Sequence, residues 1–366
     1  MKFLKLFSII LVVQFLVSCG ADPDFAGRLA LPDVGDSGDG LLLGTGAGDS
    51  NWYAVYFSEP DSPASSTLRG GPDSYLAEAI DQARLSVDIA MDSLDLWSIR
   101  DAMLDADRRG IAVRVVIESE GLQSEQAQDL IASGIQVVDD QGEGLMHNKF
   151  TIIDHREVFS GSMNYTLNGA YRSDNNLIRI QSADLAEDYL AEFEEMFLDH
   201  QFGSDSPSNT PQPLININGT LVEVYFSPDD ATMKRVIELV QGAQENVLFM
   251  AYSFTDDDLA SALINAHNSG IEVQGVLDKA QALSNSGGEY QNLLESGLDV
   301  RLDGNPGSMH HKVIIIDGQV VVTGSYNFSK SAKTRNDENT LILHDPEIAE
   351  IYTIEFGRVW EMAENK

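Results

Sequence analysis

The chain of 366 residues carries 23 Lys+Arg against 58 Asp+Glu, a formal net charge of −35, with 43% hydrophobic residues and a single cysteine. At roughly 150 residues per domain, that length predicts two domains, each large enough for its own core. The apolar fraction excludes a wholly disordered chain and the lone Cys excludes an intramolecular disulfide framework. The acidity excludes a broad basic surface for nucleic acid and electrostatic adsorption to anionic membranes.

Residues 1–18 open with Lys2 and Lys5, followed by an apolar stretch from Leu6 to Val17 that Gln14 interrupts. A bilayer span needs about 20 apolar residues, so the stretch is read as the core of a signal peptide. Leu16-Val17-Ser18-Cys19 resembles the bacterial lipobox. That resemblance implies that Cys19 is lipidated and becomes the mature N-terminus; the competing reading is an ordinary signal peptide with an incidental Cys. Gly20 stands where the family places Asp for inner-membrane retention, so the expected location is the cell envelope, at the outer membrane. Residues 19–50 are rich in Gly and Asp, with Pro23 and Pro32, and are read as an acidic tether. Asp33, Asp36 and Asp39 recur every third residue, which does not match a calcium loop.

The remainder is one unit written twice. Trp52-Tyr53-Ala54-Val55-Tyr56-Phe57-Ser58 returns as Leu221-Val222-Glu223-Val224-Tyr225-Phe226-Ser227, and Ser86–Met91 returns near Asn246–Tyr252. Gly110–Ile117 returns as Gly270–Leu277, and Gly134–Val138 as Gly297–Leu302. Two copies predict a duplicated domain, over residues 51–202 and 220–366, joined by a Pro/Ser/Asn-rich linker at 203–219. Short Val/Ile runs alternate with amphipathic stretches. Residues 98–109 place Ile99, Met103 and Ala106 on one helical face ahead of Gly110, and 256–269 do the same ahead of Gly270. Asp256 or Asp257 is the expected N-cap, in preference to a metal cluster at Asp256-Asp257-Asp258. The alternation predicts an α/β fold with a largely parallel or mixed sheet in each copy.

Each copy ends in the same constellation. The first has His147, Lys149, Asp154 and then Gly161-Ser162-Met163-Asn164; the second has His310, Lys312, Asp317 and then Gly324-Ser325-Tyr326-Asn327. This spacing selects His310 over His311 as the mate of His147. On a strand, His147 and Lys149 share a face, and the Gly-Ser-x-Asn turn can bring a hydroxyl and an amide to the same spot. His, Lys and Asn from both copies would then converge on one phosphate. A core-histidine reading would have to explain all these matches at once. His155, His200, His267 and His344 have no matched partner and are read as surface or structural.

The doubled HxKxxxxD…GSxN pattern resembles that of the phospholipase D superfamily, over about residues 50–362. The resemblance implies two tandem phospholipase D-like α/β/α sandwich domains related by a pseudo-two-fold, and a metal-free, cofactor-free phosphodiesterase. It implies catalytic roles for His147, Lys149, Asp154, His310, Lys312 and Asp317, and substrate contacts from Ser162, Asn164, Ser325, Asn327 and Glu338. His147 would attack phosphorus to give a phosphohistidine, and His310 would protonate the leaving oxygen and then activate water or an acceptor alcohol. Relatives place a Glu to orient a catalytic His; Glu338 matches it, whereas Asn175 replaces it in the first copy.

Two substrates compete. The lipid anchor and the acidity favour a phospholipid at a membrane. GSYNFSKSAKTRNDEN is similar to compact single-copy endonucleases, and Lys330, Lys333 and Arg335 would form a basic rim, so nucleic acid is the alternative. A non-catalytic binding module is disfavoured because both HxK pairs are intact. One chain holds both half-sites, so a monomer is expected.

Overall fold

The structure, a computed structural model, describes residues 52–363 apart from Glu143 and Asn285, together with the backbone of 42–45. The expected signal peptide, Cys19 and most of the expected tether lie outside the described residues. Strands of the first copy are β1 (Leu42–Thr45), β2 (Tyr53–Phe57), β3 (Ser86–Met91), β4 (Ala112–Ile117), β5 (Gln136–Asp139), β6 (Leu145–Met146), β7 (Lys149–Ile153), β8 (Glu157–Gly161) and β9 (Asn176–Gln181). Those of the second are β10 (Leu214–Ile217), β11 (Thr220–Ser227), β12 (Asn246–Ala251), β13 (Glu272–Leu277), β14 (Asp299–Leu302), β15 (Lys312–Ile316), β16 (Val320–Gly324) and β17 (Asn336–His344).

The first sheet runs β1-β2-β9-β8-β7-β3-β4-β5 and the second β10-β11-β17-β16-β15-β12-β13-β14. These are one order repeated position for position, so the duplication read from the sequence is a duplication of topology. β3, β4 and β5 are parallel, whereas β3, β7, β8, β9 and β2 alternate antiparallel, giving the mixed α/β sheet. β6 alone leaves this pattern: it pairs in parallel with β17 of the other copy.

Strand alternation distributes the core. In β15, Val313 and Ile315 join the central core, whereas Ile314 and Ile316 join an outer one. The helices Ala183–Phe197 and Pro346–Met362 line the central core with Leu185, Tyr189, Phe193 and Met196, and with Ile348, Tyr352, Phe356 and Val359. Burying such side chains contributes about 1.5–3 kcal/mol each, which makes the contact between the copies an interior rather than a hinge. Ser182 and Asp345 cap these two helices by accepting from Leu185 N and from Glu347 N and Ile348 N. On the outer faces lie Trp97–Arg108 and its mate Asp257–Asn268, close to the bounds read from periodicity. Asp256 is the N-cap of the latter, accepting from Leu259 N.

Two stretches expected to be irregular contain strands. Leu42–Thr45, inside the expected tether, pairs with β2, and β10, inside the expected linker, pairs with β11. The apolar run Leu41-Leu42-Leu43 and the alternation in Leu214–Ile217 were outweighed in the sequence reading by neighbouring Gly, Asp and Pro. Carboxylates also pin the linker: Asp337 accepts from Gly203 N, Glu195 from Asn209 Nδ2 and Asp188 from Gln212 N.

These carboxylates are dry and crowded. Burial pushes Asp188 up to about 6, and Glu195 and Asp229 up to about 7, and raises Glu192 and Asp337 well above the usual range. A group whose folded pKa lies above its unfolded value stabilises the fold below the unfolded pKa and loses that contribution as pH rises through the folded one. Thermal stability is therefore expected to fall by several degrees between pH 5.5 and 8.5, and Asp229→Asn should flatten the slope. Calorimetry across that range checks this; a melting temperature that rises with pH would contradict it.

Candidate active site

The site is built by exchange between the copies. β6 lies beside Asn336–Asp337, and its counterpart is the bridge between Asp174 and Met309. His147 N–H donates to Asp337 O at 3.0 Å, and His310 N–H donates to Asp174 O at 2.9 Å. Asp140 and Asp278 steady the approaches by accepting from Met146 N and Met309 N. Gly161 and Gly324 have φ of 142° and 141°. A Cβ at either position would overlap the carbonyl oxygen of Asn176 or Asn339, so only glycine lets the turn lie against the neighbouring strand.

The imidazoles cross over in the same way. His147 Nδ1–H donates to Glu338 Oε2 at 2.7 Å, and Ser325 Oγ donates to the same oxygen at 2.7 Å. His310 Nδ1–H faces Asn175 Oδ1 at 2.9 Å and Ser162 O at 3.1 Å, and Ser162 Oγ donates to Asn175 Oδ1. Each ring is thus held through Nδ1 by groups of the other copy. Lys149 Nζ donates to His147 O at 2.7 Å; Lys312 Nζ donates to His310 O at 2.8 Å and lies 3.2 Å from His310 Nε2. Both lysines are 1% exposed. Burial lowers Lys149; burial and then the charge of Lys149 lower Lys312 further. Burial, followed by Lys312 and Lys149, brings His310 well below its ordinary value. Asn164 and Asn327 each keep a buried Oδ1 with no hydrogen-bond partner among the described residues.

The two aspartates of the motif do not join this group. Asp154 and Asp317 follow strands of five residues, roughly 17 Å long, at whose other end the lysines stand. Asp154 accepts from Arg84 N, Leu85 N and Ser86 N, and Asp317 from Gln244 N, Glu245 N and Asn246 N. Their expected catalytic role is corrected to tying the turn ahead of β3 or β12 to the end of the lysine strand. The expected substrate contacts of Ser162 and Ser325 change likewise, because both are fully buried and their hydroxyls are spent on Asn175 and Glu338. Glu338 lies behind His147 rather than on a substrate surface. His311 turns away, with Nε2–H donating to Glu355 at 2.9 Å and Nδ1 accepting from Asn176.

Two residues were missed by sequence reasoning. Asp92 follows Met91, the partner of Lys149, and Tyr252 follows Ala251, the partner of Lys312. Tyr252 packs on His310 with ring centroids 4.4 Å apart, and Lys312 Nζ lies 4.7 Å from the centre of its ring. The position directly after each β3-type repeat was the signal available. A groove of about 630 Å³ lined by Tyr56, Tyr75, Arg84, Arg156 and Arg179 lies beside Asp154, away from the histidines.

The family described as "Cardiolipin synthase, PLD-like domain" matches residues 76–197 and 236–360, one segment in each copy, and the chain belongs to this family. It is 37% identical over 131 residues to a phospholipase D of Rickettsia prowazekii, covering 36% of this chain and 63% of that protein, just under two thirds of its length. It is 26% identical over 189 residues to a mitochondrial cardiolipin hydrolase of Chlamydomonas reinhardtii, covering 45% of this chain and 84% of that protein. In fold it is similar to a phosphatidylserine synthase of Haemophilus influenzae, with a TM-score of 0.64 at 15% identity, over 85% of this chain and 86% of that one.

Two buried lysines and an imidazole with lowered proton affinity make a site that gains protons when an anion enters, because the anion offsets both burial and mutual repulsion. Binding of inorganic phosphate is expected to take up protons, read by calorimetry in buffers of different ionisation enthalpy. Lys312→Met should weaken it on the order of tenfold or more, about 1.4 kcal/mol. Binding with no proton uptake would contradict this electrostatic description.

Proposed function

We propose that the protein is a phosphodiesterase that hydrolyses phospholipid headgroups through a phosphohistidine intermediate. The observation that carries this reading is the convergence of His147, Lys149, His310 and Lys312 from both copies, each ring held by a residue of the other copy. His147 Nε2 attacks phosphorus while Nδ1–H stays on Glu338, whose carboxylate offsets the positive charge of the phosphorylated ring. The P–O bond to the headgroup breaks, and His310 gives its Nε2 proton to the departing alcohol. Asn175 offers His310 only an amide oxygen, so the ring is the readier proton donor of the two. His310 then takes a proton from water, hydroxide attacks phosphorus, and the P–N bond breaks to return His147 and release the phosphomonoester. Lys149, Lys312, Asn164 and Asn327 hold the non-bridging oxygens, where charge concentrates. No step is routed through a metal.

Phospholipid is preferred over nucleic acid on charge. The expected basic rim is weakened, because Lys333 is paired with Asp258 at 2.9 Å and Asp256 at 3.5 Å, in a chain of net charge −35. The names of the relatives, a phospholipase D and a cardiolipin hydrolase, point the same way. Lipidation at Cys19 would hold the enzyme beside its substrate at the cell envelope, as a monomer carrying both half-sites.

Phospholipid micelles and single-stranded DNA, each assayed with chelator present, test this reading; cleavage of DNA alone, or activity lost with chelator, contradicts it. With a nitrophenyl phosphodiester, whose leaving group needs no acid, His310→Asn should give a burst and a stable phosphoenzyme at His147, and His147→Asn should give neither. Label found at His310 would reverse the assignment.

A further inference from the structure

Besides the exchange of Glu338 for Asn175 behind the rings, the pseudo-two-fold breaks at a second place within the site. Tyr252 occupies its position in the second copy as a neutral ring against His310, whereas the first copy places a carboxylate there, Asp92. A fixed negative charge in a phosphate site weakens the hold on any anion, so its presence needs a cause.

Its charge favours the protonated forms of the buried Lys149 and Lys312, but that field leaves its oxygens unspent. Asp92 forms no ion pair with Lys149 or Lys312; their ammonium groups donate to the carbonyls of His147 and His310. Asp92 Oδ2 accepts from Ser93 Oγ at 3.0 Å, and Oδ1 has no donor among the described residues. The backbone does not require a carboxylate either, since Tyr252 serves the same strand end, with its N–H on His311 O. Although burial pushes it upward, Lys149 and His147 hold the Asp92 carboxyl below its ordinary value, so it stays ionised. Its field also reaches the Tyr252 hydroxyl. Asp92 is therefore a charged, half-buried carboxylate one residue beyond the strand partner of Lys149.

We propose that Asp92 is a specificity residue whose open oxygen receives the ammonium of an amino-alcohol headgroup while Lys149 and Lys312 hold the adjoining phosphate. The proposal rests on the phospholipid reading and narrows it to zwitterionic headgroups, those of ethanolamine type, over neutral polyols of glycerol type. A zwitterion meets both signs of charge in the site; a polyol phosphate meets the lysines but leaves Asp92 unanswered.

Two measurements test it. In mixed micelles, phosphatidylethanolamine should exceed phosphatidylglycerol in kcat/KM by about tenfold, and Asp92→Asn should remove most of that preference through loss on the ethanolamine lipid. In calorimetry, phosphoethanolamine should bind the wild-type protein more tightly than glycerol phosphate, a comparison that requires neither turnover nor a variant. Equal affinity for the two ligands, or an equal change for both lipids in Asp92→Asn, overturns the proposal. Hydrolysis of both lipids without preference overturns the proposal and leaves the phospholipase reading standing. Hydrolysis of neither lipid, with the ligand preference present, overturns that reading and leaves the ammonium site standing.

Discussion

The hydrogen bond from His147 Nδ1 to Glu338 crosses 191 positions of sequence, and the rest of the site depends on it. A ring held by a carboxylate from its own copy could form in an isolated domain. Here the ring belongs to one sheet and its orienting group to the other, so the geometry exists only when the two sheets share a core. The constraint accounts for the exchange of β6 onto β17, the glycines that admit the serine turns, and the apolar helices packed between the sheets. The second half-site repeats the arrangement with an amide in place of the carboxylate and with Tyr252 in place of Asp92, and these two differences separate the histidines.

Electrostatics explains how so acidic a chain would hold a phosphate. Long-range attraction is unavailable at a net charge of −35, so binding would rely on a few cations kept dry. Burial makes each lysine costly to charge but strengthens its interaction with an anion that enters. Behind the site, carboxyl groups on the linker side meet the same loss of water by retaining protons. Fold stability and site charge thus respond to pH for one physical reason.

Much of this was legible in the sequence because period and spacing report strands directly. The repeated Val/Ile runs foretold two equivalent sheets, and His147 with Lys149, two apart, foretold a shared strand face. Asp154 was misread because spacing within a motif does not reveal how much of it a straight strand consumes; five extended residues carry it to the far end. The serines were misread because a hydroxyl two residues ahead of the motif's amide looks like a ligand until its burial is known. The partner of Glu338 could not be found by spacing, since pairing between copies is set by how the sheets dock. Asp92 was passed over because the repeat was read only as far as Met91.

On the proposed function, both copies act on one phosphorus atom. A crystal structure with vanadate bound tests this directly. One vanadium centre is expected between the Nε2 atoms of His147 and His310, with Lys149 and Lys312 hydrogen-bonded to its oxygens. Separate anions in each copy, or an anion held only in the arginine-lined groove beside Asp154, would contradict it.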